Sequence, residues 1–108
     1  MALVPMELDN SEWVSKSMTV TSGIGTLNLY VNFNIKLAII SFTSGAAHAD
    51  GNFTLPSDVT PLADAHGALR DSGNSTRGGY ISVFADRQQG TLANETSYTT
   101  GQVVFIIK

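Results

Sequence analysis

The chain contains no cysteine, and charged residues make up only 14% of its 108 positions. The first absence excludes disulfide staples and thiolate metal sites, so such a protein working outside cells depends on packing or on association of copies. The second leaves the charge content well below the roughly 25% usual for globular chains. Six Lys and Arg stand against nine Asp and Glu, for a net charge of −3. No basic patch can therefore neutralise several phosphates, and neither nucleic acid nor an anionic membrane surface is an expected partner. No apolar run reaches the ~18 residues of a membrane span, and no basic stretch followed by an apolar one marks an export signal. Membrane insertion is not expected.

In place of charge the chain carries Thr, Ser, Asn and ten Gly, with an apolar fraction of 43%. That mixture suits exposed strands and turns, and it suits surfaces that meet neutral polar ligands such as glycans. The opening Met1-Ala2-Leu3-Val4-Pro5-Met6 reads as a linker or an expression remnant, so residues 1–12 are set apart. Residues 13–108 are expected to form one domain, long enough for a single core.

Hydrophobic periodicity points to strands. From Ile24 to Lys36 apolar Leu27, Leu29, Val31, Phe33 and Ile35 alternate with polar positions, which predicts a half-buried strand. Trp13 to Thr21 predicts a strand before it, with Met18 and Val20 inward. Leu37 to Phe42 is apolar on both faces, as expected of a strand buried on both sides or passing between sheets. Asn52 to Leu55 predicts a short strand stopped by Pro56, and Pro61 confines Ser57 to Thr60 to an edge or turn.

Leu62 to Arg70 reads as an irregular segment or short strand, and Asp71 to Gly79 as a long Gly/Ser/Asn-rich turn. Tyr80 to Asp86 alternates with Ile81 and Val83 on one side. Thr91 to Thr96 is a weak strand, and Gln102 to Ile107 a closing strand with Val103, Phe105 and Ile107 inward. Short strands with turn signals every 8–12 residues or so predict an all-β, single-domain antiparallel sandwich or barrel. Val104 and Ile106 leave apolar surface beyond what one monomer needs, which predicts a symmetric oligomer.

Two His/Asp pairs form the candidate site, His48-Ala49-Asp50 and Asp64-Ala65-His66. A carboxylate beside an imidazole fixes its tautomer, and both groups hydrogen-bond sugar hydroxyls; the plainer alternative is that these loop residues cap turns. Arg70, near Asp71 and His66, would complete a polar cluster able to fork onto vicinal hydroxyls. Arg77 and Arg87 are further arginines of the same loops, Arg87 suiting a solvated hairpin. Trp13, Tyr30, Tyr80 and Tyr98 are the rings on which a sugar could stack, although Trp13 suits packing and Tyr30 a cross-strand pair.

The same His and Asp residues make a conceivable four-ligand metal set, but nothing in their spacing fixes a geometry. No nucleophile elbow occurs, and the chain is short for a glycosidase cleft. The reading is therefore of no enzyme, no metal and no cofactor. Sequons at Asn52, Asn74 and Asn94 are attributable to composition alone.

Three stretches in order carry a resemblance: Phe53-Thr54-Leu55-Pro56 followed by Pro61; Gly79-Tyr80-Ile81-Ser82-Val83 followed by Gly90; and Tyr98-Thr99-Thr100-Gly101-Gln102-Val103-Val104-Phe105. Together they resemble the C-terminal head domains of receptor-binding proteins from tailed phages of lactic-acid bacteria, above all lactococcal ones. The resemblance spans most of residues 13–108. It implies a β-barrel or jelly-roll-like head, a homotrimer at the tail tip or baseplate of the virion, joined to other tail proteins and binding host cell-wall saccharides without covalent chemistry. His48, Asp50 and Arg70 match the residue types of such pockets, with Asp64 and His66 as the alternative set. The stacking tryptophan of such pockets has no counterpart in the loops. Two other functions compete: a structural or oligomerisation module without a ligand, and a small polysaccharide hydrolase.

Overall fold

A computed structural model describes residues 12–21, 25–43, 49–71, 77–94 and 99–108; for residues 49, 50, 71, 77, 78 and 94 it describes the backbone. The described residues form nine strands and no helix. They are β1 (Trp13–Lys16), β2 (Thr19–Val20), β3 (Thr26–Asn32), β4 (Leu37–Thr43), β5 (Ala49–Thr54), β6 (Ala65–Asp71), β7 (Arg77–Val83), β8 (Gln89–Asn94) and β9 (Thr99–Ile106). All pair antiparallel in one curled sheet, ordered β1-β3-β4-β9-β6-β7-β8-β5-β2. The all-β expectation holds, in the form of a half-barrel. Strands β5 to β8 follow a Greek-key order, a β6-β7-β8 meander with β5 returning beside β8.

The two ends of that order are neighbours in the chain. The Trp13–Thr21 segment, expected as one strand, divides at Ser17 and Met18: β1 pairs with β3, while β2 pairs with β5. Three residue steps span at most about 10 Å, so the sheet must curl until its edges nearly meet. Lys16 Nζ bonds Asp58 Oδ2 at 2.8 Å and lies over the Phe33 ring, 5.7 Å from its centroid. These contacts tie the bridging segment to the turn after β3 and to the connection after β5.

Alternation then fills the interior. Leu29 and Val31 of β3, Ala38, Ile40 and Phe42 of β4, and Val103 and Phe105 of β9 face Phe53, Leu69, Ile81, Val83 and Leu92 across one core. Each large apolar side chain so buried contributes about 1.5–3 kcal/mol. Where β6 passes β9, their ladder is short, Leu69 to Asp71 opposite Thr99 to Gly101. Gly67 permits the approach, since a Cβ there would lie 2.1 Å from Gln102 O.

Several strand ends differ from the alternation pattern. β3 stops at Asn32, and Ile35, expected inward, is 60% exposed on the turn. The cause is the buried Asn32 side chain: its Oδ1 accepts from Asn34 N–H at 3.0 Å and Ile35 N–H at 3.3 Å, turning the chain back at Lys36 with φ 59°. β7 likewise ends at Val83, short of Asp86, because Asp86 adopts φ 61° and donates its N–H to Pro61 O. Arg77 to Gly79, expected in a turn, open β7. Leu62–Arg70 resolves into a connection followed by β6.

The β5–β6 connection closes one end of the half-barrel. Val59 is fully buried, Pro61 bridges to Ile107, and Lys108 N–H donates to Thr60 O. Gln88 fastens it, donating from Nε2 to Pro56 O at 2.7 Å and Val59 O at 2.9 Å while Oε1 accepts from Thr60 Oγ1 at 2.6 Å.

Candidate functional site

Register across β5, β8, β7 and β6 brings distant residues into rows on the outer face. Asn52 pairs with Thr91, Thr91 with Ser82, and Ser82 with His66. The next row runs from Ala93 to Tyr80 to Ala68, and the backbone of Asp50 stands opposite Ala93. Strands lie about 4.8 Å apart, so each row crosses about 14 Å of surface. Inward residues alternate with these and are locked by the core: Ile81 and Val83 are buried on either side of Ser82, and Leu92 between Thr91 and Ala93. The outward residues therefore stand on a rigid platform.

Tyr80 is the exception in size. Its cross-strand neighbours are both alanine, so neither of them covers the ring, and Tyr80 is 52% exposed. Beside it an open trough of about 360 Å³ is lined by Tyr80, Ala93, Thr91, Asn52, Gly51 and Leu92. That volume is at the small end of ligand sites. One wall is an aromatic ring, and the next row supplies an amide and a hydroxyl.

His66 extends the polar row. Its Nδ1 and the Oγ of buried Ser82 are hydrogen-bonded at 2.8 Å, which fixes the ring and leaves Nε2 for another partner. Asp64, two residues earlier, has a different use: its Oδ1 accepts from Ala85 N–H at 2.7 Å and holds the turn after β7. The imidazole is thus oriented by a serine, while the carboxylate caps backbone as in the plainer reading.

Arg70 is exposed at the far end of β6, opposite Thr100, beyond a register shift at Leu69/Arg70. Four residues of strand place it about 13 Å along β6 from His66. His48 and Tyr98, and the side chains of Asp50 and Arg77, lie outside the described residues.

Arg87 sits over Phe84 on its turn, 5.6 Å from the ring centroid. Trp13 is half-buried on β1, and Tyr30 is 40% exposed between Ser15 and Ile39 on the opposite half of the sheet. Asn52 lies mid-strand with Phe53 buried after it, a poor setting for a glycosylation acceptor, which calls for an exposed loop.

Asn52, Ser82, Thr91 and Ala93 were not among the candidate binding residues read from the sequence. Their one signal is the alternation that puts Tyr80 and Ser82 opposite Ile81 and Val83; which strands flank them depends on register. Among the described residues no group of three or more His, Asp or Glu is placed to hold a metal ion, and no helix is long and apolar enough to cross a membrane. Comparison with protein-family models, with curated proteins and with solved structures finds no match for this chain.

Proposed function

We propose that this chain is a non-enzymatic head that binds neutral saccharides of a bacterial cell envelope reversibly, as the receptor-binding tip of a phage tail. The observation that carries the binding reading is the Tyr80 trough. A sugar ring has apolar C–H faces and a rim of hydroxyls, and it needs a flat uncovered ring beside groups that both donate and accept. Tyr80 between Ala68 and Ala93 supplies the first; Asn52, Thr91 and His66 supply the second.

Anionic ligands are disfavoured because the described side chains of these rows include no Lys or Arg; Arg70 lies two residues beyond Ala68 on β6, at the border of the Tyr80 row. The phage setting rests on the ordered resemblance of three stretches to phage receptor-binding heads. It makes the tail tip the place of action, cell-wall saccharide the partner and other tail proteins the attachment.

The test is calorimetric titration of the protein with neutral oligosaccharides released from Gram-positive cell walls. Saturable binding lost in Tyr80→Ala supports the reading. Absence of heat across the series, or binding unchanged in that variant, overturns it. Appearance of new reducing ends during the titration would favour a hydrolase instead.

A further inference from the structure

We infer that the Tyr80 trough takes an interior stretch of an extended glycan chain, about three sugar units laid across β5, β8, β7 and β6, and not a single terminal sugar. The inference rests on the saccharide reading above and specifies which form of saccharide the surface holds.

The polar groups are laid out for a chain. In a pocket for one sugar they converge on one point; here they follow one another from strand to strand. At the β5 end the Thr21 N–H and hydroxyl both donate to Asn52 O, and the hydroxyl accepts from Asn52 N–H at 3.1 Å. With its backbone held in this way, Asn52 presents an exposed carboxamide that has no partner among the described residues. The Thr91 hydroxyl, one strand further on, has none either. Ser82 is buried and bonded to the imidazole, so β7 contributes to the row through His66, whose ring comes from β6. The strand spacing of about 4.8 Å is close to the advance of one pyranose unit in an extended chain.

The neighbouring row supplies a floor without end walls. Tyr80 has a methyl group on each side, Ala93 on β8 and Ala68 on β6, and Gly51 of β5 lines the same trough. A site for a chain end closes against the last unit, whereas this floor continues past the ring in both directions across the strands. It lies two residues along the strands from the polar row, about 6.7 Å. A unit stacked by its C–H face on Tyr80 therefore turns a hydroxyl edge towards Asn52, Thr91 and His66.

Size selects the same ligand class. The trough of about 360 Å³ belongs to β5, β8 and β7, and His66 extends it by one strand. From β5 to β6 is about 14 Å, and one pyranose covers about one strand step of that. A ribbon-like chain, with its linkages close to the plane of the rings, stays on this line. A chain that coils leaves it after one unit.

Calorimetry with size-fractionated neutral cell-wall oligosaccharides of one to five units tests the inference on wild type, His66→Ala, His66→Gln and Tyr80→Ala, with far-UV circular dichroism to check folding. Wild-type affinity should rise at least tenfold from one unit to three and level off beyond four, and this series decides the matter by itself where a variant fails to fold. His66→Ala should lose several-fold more affinity for three units than for one, His66→Gln should recover part of that loss, and Tyr80→Ala should lose binding at every length. One unit bound as tightly as three, with binding still lost in Tyr80→Ala, overturns the inference and leaves the saccharide reading intact. An equal loss at all lengths in His66→Ala has the same meaning. Absence of heat at every length overturns both.

Discussion

Gly90 lies against the ring of Phe53: the two face each other across the β5–β8 ladder, and a Cβ on Gly90 would fall 2.1 Å from Phe53 Cζ and 2.6 Å from Ser82 O. Phe53 is a buried ring of the core, and Ser82 is the residue that holds His66. Packing under the sheet and geometry on its outer face are thus joined at one residue.

Gly90→Ala should therefore destabilise by about 1–3 kcal/mol, the usual cost of overpacking a filled interior. Urea unfolding followed by circular dichroism measures it. A neutral result would mean that the Phe53 ring moves aside freely.

Gln88→Ala should cost about 1–3 kcal/mol, because Pro56 O and Val59 O lose their amide donor and Thr60 Oγ1 its acceptor. Gln88→Glu should be no better, since a carboxylate would face the same two carbonyls. Thermal unfolding of both variants checks this, and near-wild-type stability of the Glu variant would contradict it.

Asn32→Ala should cost about 1–2 kcal/mol through loss of both side-chain bonds that close the β3–β4 turn. Asn32→Asp keeps the acceptor and should recover part of the loss. Hydrogen exchange at Asn34 and Ile35 reports the turn directly: both amides should exchange faster in the Ala variant.

Tyr80→Ala should leave stability within about 0.5 kcal/mol, as befits an exposed side chain, while removing saccharide binding. Ser82→Ala separates orientation from contact. It leaves the Tyr80 ring in place but frees His66, so affinity should fall by less than in Tyr80→Ala.

Much of the fold was legible because period-two alternation is a local property. Ile81 and Val83 against Tyr80 and Ser82, or Val103 and Phe105 against Val104 and Ile106, announce their faces without any partner strand. Strand ends were less legible. Ile35 continues the alternation of β3 in sequence, yet the Asn32 side chain captures the amides of Asn34 and Ile35 and turns the chain. The division of Trp13–Thr21 has no local signal, since it follows from β1 and β2 taking the two margins of the curl, beside β3 and β5.

The candidate site was legible only in part, for the same reason. His66 and Tyr80 could be chosen by chemistry, but Asn52 and Thr91 join them only through ladders between strands far apart in the chain. Proximity in sequence also misled: Asp64 is two residues from His66 and bonds Ala85 instead.

The most direct test of the saccharide proposal is a titration of isotope-labelled protein with neutral cell-wall oligosaccharide, followed by amide and side-chain resonances. The account predicts saturable shifts centred on Asn52, His66, Tyr80, Thr91 and Ala93, absent in Tyr80→Ala. Shifts confined to the β3–β4–β9 face, or none at saturating sugar, would contradict it.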